Sequence, residues 1–133
     1  MKGFRPYSTS DGRVLPWKYL PCGAIQPKVG LALYLSSGVF AIATGTTKPT
    51  HICMREEAAA VASGTIIPVI EIEDDIVFET ENQASLNGVN IGQAVTLHSD
   101  GMQVTGTTSS GTATIVDKVA GTGTGNRVLV RFL

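Results

Sequence analysis

The chain predicts an all-β protein: a small closed β-barrel or tight β-sandwich built from two pseudo-repeated four-stranded units, with an extended N-terminal arm. Three observations lead there. Charged residues are only 16% of the 133-residue chain and glycines number 15, a composition that suits short strands joined by tight turns. Residues 29–72 return in degenerate form at 91–133: Val29-Gly30-Leu31-Ala32-Leu33-Tyr34-Leu35-Ser36-Ser37 lies over Ile91-Gly92-Gln93-Ala94-Val95-Thr96-Leu97-His98-Ser99. Gly45-Thr46-Thr47 matches Gly106-Thr107-Thr108, and Gly64-Thr65-Ile66-Ile67-Pro68-Val69 matches Gly125-Asn126-Arg127-Val128-Leu129-Val130. Two copies are too few for a solenoid, which leaves a duplicated β-unit closing on itself. Third, residues 1–28 hold Pro6, Pro16, Pro21 and Pro27 and show no clean period.

Taken in order, the prolines of 1–28 forbid a continuous helix and interrupt a ladder, so this segment reads as an arm outside a 29–133 barrel domain. From Val29 the pattern alternates: Leu31, Leu33 and Leu35 face in, Ala32 and Tyr34 out. Ser36-Ser37-Gly38 supplies a turn and Val39 to Thr44 a return strand. Third and fourth strands follow at about His51 to Arg55 and Thr65 to Ile72. Arg55 to Ala62 has the composition for one or two helical turns but is too short to stand as a helix.

Residues 73–90 form an acidic connector in which Ile76-Val77-Phe78 can add a strand and Asn87-Gly88 a turn. The second unit repeats the first. Leu33 and Leu35 correspond to Val95 and Leu97, Asp100-Gly101 is a hairpin signal, and strands are expected at Thr112 to Lys118 and Arg127 to Leu133. Glu71 falls where the second copy has Phe132, so the fourth strands should differ in register or exposure at their ends.

A net charge of −1 argues against a nucleic-acid partner bound by phosphate neutralisation. No apolar block long enough for a signal peptide or membrane helix follows the N-terminus, so a product made in the cytoplasm and independent of membranes is expected. Cys22 and Cys53 form no metal-ligating or redox pair; reduced thiols are the default, with a disulfide left open. Glu71, Glu73, Asp74 and Asp75 lack the spacing of a calcium loop. Gly121-Thr122-Gly123-Thr124-Gly125 leads into a strand and lacks the Lys-Ser/Thr of a phosphate loop. His51 and His98 belong to no nucleophile motif. The expectation is no catalysis, no cofactor and no metal.

The arm is locally basic, with Lys2, Arg5, Arg13, Lys18 and Lys28 against Asp11. Its aromatics Phe4, Tyr7, Trp17 and Tyr19 have two readings. They cap one end of their own barrel, or with Arg5, Arg13 and Lys18 they anchor the arm in a partner. Under the second reading the arm is dispensable for folding.

The whole chain resembles the head decoration, or cement, proteins of tailed bacteriophages. The likeness rests on the arm, the Gly/Thr-rich barrel, Lys48-Pro49-Thr50-His51-Ile52-Cys53-Met54, Asp75-Ile76-Val77-Phe78-Glu79-Thr80 and the ending Val128-Leu129-Val130-Arg131-Phe132. The resemblance implies a structural protein on the virion exterior, bound to the major capsid protein and to itself, commonly as a homotrimer. A carbohydrate or host-surface binding module, which calls for an aromatic platform on the barrel itself, and a tail or connector component are the alternatives.

Overall fold

The computed structural model describes residues 2–133 and is all-β, with ten strands in two sheets. In chain order they are β1 (Arg5–Ser8), β2 (Lys18–Cys22), β3 (Ala32–Ser36), β4 (Val39–Ile42), β5 (His51–Cys53), β6 (Thr65–Glu71), β7 (Val77–Glu81), β8 (Ala94–Val95), β9 (Ala113–Lys118) and β10 (Arg127–Arg131). Strands β2-β4-β3-β5-β6 close a barrel, and β1-β7-β10-β9-β8 form the second sheet. Residues 55–62 are irregular, without a helical turn.

The duplication is present and extends beyond the sequence echo, because each unit takes in one strand that precedes its copy. β3 pairs with β5 through Ala32↔Ile52 and β5 with β6 through Cys53↔Val69. β8 pairs with β9 through Ala94↔Thr114 and β9 with β10 through Val130↔Ile115. The added strand is β2 in the first unit, antiparallel to β6, and β7 in the second, antiparallel to β10. β2 meets β4 in parallel at Cys22↔Phe40, and the end of β7 meets the second hairpin in parallel at Asn82↔Val104. Even the individual bonds recur: Gly23 N–H donates to Phe40 C=O at 2.9 Å, and Gln83 N–H to Val104 C=O at 2.8 Å. With the Leu97↔Val104 bridge, the second unit is a less regular ring of the same connectivity.

The hairpins differ. Ser37 (φ 52°) and Gly38 (φ 83°) both take positive φ in the two-residue turn β3–β4, matching strand twist. At the second hairpin Gly101 alone is left-handed (φ 67°), and the Asp100 carboxylate accepts the Met102 N–H at 2.8 Å, so the loop is wider and the return strand shrinks to a bridge.

Two apolar clusters, not one shared interior, hold the molecule together. Cys22, Leu31, Leu33, Phe40, Cys53, Ile67 and Val69 fill the first barrel. The larger cluster fills the second unit and runs out to Ala32, Ile52 and Ile70, whose side chains leave the first barrel on its opposite face and weld the units together. Leu33, Val95 and Leu97 are buried as the alternation requires, but Leu35, near the hairpin tip, is 47% exposed. Both cysteines are free and buried.

The arm is not an arm, and the boundary at residue 28 does not exist. β2 is a stave of the first barrel, and β1 lies antiparallel on β7, with Arg5↔Glu79 and Pro6↔Phe78. Phe4 is 0% exposed, with its ring centroid 5.3 Å from Phe132, which in turn lies 5.6 Å from Phe78. Gly3 and Gly30 allow this entry: Phe4 N–H donates to Gly30 C=O at 2.8 Å, and a Cβ on Gly30 would lie 2.6 Å from Gly3 Cα. Sequence reasoning placed the prolines as ladder breakers. In fact Pro6 sits on a strand at a sheet margin, where a missing N–H is tolerated, and Pro21 follows three residues of regular pairing.

The Glu71/Phe132 mismatch now has its structural meaning. Lys18 and Glu71 occupy in the first unit the positions of Phe78 and Phe132 in the second, and they form an exposed ion pair where the second unit has its buried aromatic cluster.

Phe4→Ala should lower unfolding stability by about 3–5 kcal/mol, as for other buried aromatic truncations, measured by urea denaturation. Deleting residues 1–28 should abolish cooperative folding, since it removes β1, a barrel stave and the Phe4 plug; a sigmoidal unfolding transition in that truncation would contradict this placement.

Candidate functional site: an aromatic strip on the first barrel

The seven residues proposed as partner contacts separate into three groups. Phe4 is core and touches no partner. Arg5, Arg13 and Lys18 are engaged within the molecule: Arg5 Nη2 lies 3.2 Å from Glu79 Oε1, and Lys18 pairs with Glu71. Tyr7, Trp17 and Tyr19 remain exposed, at 54%, 51% and 63%. Tyr7 carries the Arg127 guanidinium over its ring, 4.9 Å from the centroid, and Arg127 Nε also lies 3.3 Å from Glu79.

Arg13 is the clasp of the loop between β1 and β2. Its Nη1 donates to Asp75 Oδ2 at 2.6 Å and to Asp11 at 2.9 Å, while Nη2 reaches Asp75 Oδ1 at 2.9 Å and Glu73 at 2.6 Å. The Ser10 N–H and hydroxyl donate to the same Asp75 carboxylate at 3.2 and 2.7 Å. The hydrogen bonds from Arg13, and then from Ser10, hold the Asp75 carboxyl far below the usual carboxylate range. Three of the four carboxylates considered for a cation, Glu71, Glu73 and Asp75, are thus spent on internal cations, and among the described residues no cluster of metal-ligating side chains is present.

Trp17 and Tyr19 belong to a strip whose other members the sequence did not disclose. Leu20 and Cys22 turn towards the interior of the first barrel, so Tyr19 and Pro21 point outward by strand alternation. Directly opposite on β6, Tyr19 faces Pro68 and Pro21 faces Ile66, which is 51% exposed. Opposed residues share a face. Trp17, Tyr19, Pro21, Ile66 and Pro68 therefore make one apolar strip across two paired strands. Beside it lies a groove of about 320 Å³ whose lining includes Trp17, Met54, Ile70, Pro6, Tyr7 and Arg13. The alternation of Lys18-Tyr19-Leu20 was the available signal, masked by the prolines on either side.

His51 is buried, its Nδ1 2.8 Å from Thr50 Oγ1 and its ring 4.9 Å from that of Phe40; burial pushes its pKa down. Together with Thr50 it borders a groove that Glu71 and Phe132 also line.

No protein-family model matches the chain, and no curated protein matches it significantly. The surface chemistry therefore carries the functional reading.

The Asp75 carboxyl has a folded-state pKa below its unfolded value, so the clasp contributes fully above about pH 4 and is lost as pH falls through the depressed value. Carbon-detected NMR titration should show no Asp75 inflection at pH 4, and Arg13→Gln should bring that inflection back up towards the ordinary carboxylate range.

Proposed function

We propose that the chain is a structural virion protein that binds the outside of an assembled tailed-phage capsid and holds neighbouring capsid subunits together. The observation that supports a docking role is the Trp17, Tyr19, Pro21, Ile66, Pro68 strip. Tryptophan and tyrosine dominate the centres of protein interfaces, and here they stand on a closed barrel, so little backbone order is lost on binding. The capsid as partner comes from the sequence resemblance. The mechanism is mechanical: each copy covers on the order of 800 Å² of its own surface at a junction between capsid subunits and opposes their separation, and many copies act together. The docking element in this reading is a barrel face, replacing the extended arm that the sequence suggested.

One observation favours a second reading, a carbohydrate or host-surface binding module. Trp17 flanks, and Tyr19 lies on, a barrel strand next to a groove, which is the aromatic platform such a module requires.

The double variant Trp17→Ala/Tyr19→Ala should fold as the parent does, because both side chains face outward, and should lose at least about tenfold in co-sedimentation with expanded phage shells, given roughly 1–2 kcal/mol or more per aromatic anchor. Unchanged co-sedimentation would refute the docking role of this face. Binding of the parent, but not the variant, to a glycan array would decide for the second reading.

A further inference from the structure

The duplication exposes an asymmetry that points to a second copy of this chain as a binding partner, independently of what the aromatic strip recognises. β2 and β7 are equivalent strands, matched by their parallel bridges at Cys22↔Phe40 and Asn82↔Val104 and by their antiparallel partners β6 and β10. On β7 the edge away from β10 is covered by β1, with Arg5 opposite Glu79 and Pro6 opposite Phe78. The same positions on β2 are Tyr19 and Lys18. There β4 meets β2 at Cys22 alone, so among the described residues no strand lies beside Lys18–Leu20 on that side.

The peptide groups at this edge face outward. Tyr19 stands opposite Pro68, which has no N–H and whose C=O accepts the Met54 N–H at 2.9 Å on the β5 side. Pro68 therefore offers nothing to Tyr19, whose N–H and C=O point away from β6, as in any non-hydrogen-bonded antiparallel pair. Trp17 immediately precedes β2, and extending the strand's alternation by one residue turns its peptide groups the same way. Pro21, the next residue to face this side, has no donor, which confines any added ladder to a short stretch. An uncovered edge of this kind is a template for another strand.

We propose that this edge pairs antiparallel with the same edge of a second copy, about a two-fold axis passing at Lys18. The stretch is self-complementary, as a two-fold interface demands. Trp17 of each copy lies opposite Tyr19 of the other, so the outward N–H and C=O groups of both residues meet in two hydrogen-bonded pairs. The two aromatics form cross-strand pairs on the outer face. The two Lys18 ammonium groups, which would repel if bare, each arrive with a Glu71 carboxylate already in contact. The product is a continuous sheet β6-β2-β2-β6 that sets two apolar strips side by side.

The test is sedimentation of the full chain over a wide concentration range, with Tyr19→Pro as the probe of the ladder, because among the described residues that N–H has no bond to lose. A dimer is expected, with dissociation at least about tenfold easier in Y19P, the effect of removing two exposed hydrogen bonds. Register is read separately. An oxidised mixture of Trp17→Cys and Tyr19→Cys proteins should cross-link faster than either variant alone, since residues facing each other on adjacent strands are within disulfide reach. A protein that stays monomeric throughout, a three-fold assembly, or cross-linking without preference for the mixture would overturn the proposal.

Discussion

A β-strand has two hydrogen-bonding edges, and the fold of this protein is governed by how each is satisfied. Each unit is too small to leave many edges open, so it curls until its first strand meets the return arm of its hairpin in parallel. The first unit completes this as a barrel. The second has a wider hairpin, keeps single bridges in place of a full ladder, and takes the N-terminal strand as an additional cover on β7. The positions of Phe4, Arg5 and the loop that follows all derive from that addition.

The two units also close their ends with opposite chemistry. The pair Lys18 and Glu71 is exposed and contributes little by itself, because solvent screens it. Its counterpart, Phe78 with Phe132 and the inserted Phe4, is fully buried and supplies several kcal/mol through apolar area removed from water. One unit can therefore tolerate a solvent-facing end, while the other depends on a residue delivered from outside its own repeat. Duplication supplied the frame, and divergence at equivalent positions decided which half became self-sufficient.

Much of the strand pattern was legible in the sequence because it is local. Alternation marked β3, the Ser36-Ser37-Gly38 turn marked β4 as its return, the repeat placed β5 and β6 alongside β9 and β10, and Ile76-Val77-Phe78 marked β7. The repeat itself was visible through Gly, Ala and Leu at matching places. What escaped was β2, the strand that precedes the first copy. Pro16 precedes β2 and Pro21 lies within it, and a proline ordinarily argues against a barrel stave; only the pairing shows that Pro21 has its missing donor on the side facing away from β6 and Pro68 on the side facing away from β2. Phe4 escaped for a different reason: no local pattern tells a buried aromatic in an irregular segment from an exposed one, because its pocket is built by residues distant in sequence. Trp17 and Tyr19 were singled out with two readings, a cap on their own barrel or an anchor for a partner; the structure leaves both exposed, and their companions Pro21, Ile66 and Pro68 become visible only once β2 is laid against β6.

The union of Phe4 with Phe132 bears on how the polypeptide matures during translation. All five strands of the first barrel lie within Lys18–Glu71, so its staves are synthesised long before Phe132, although the Ala32 N–H still awaits the Gly101 C=O. Phe4 must wait, emerging early from the ribosome yet finding its socket only when Phe132 has been added. Until then a greasy N-terminal hook hangs beside a half-finished protein, a window in which a chaperone or a neighbouring nascent chain competes for it.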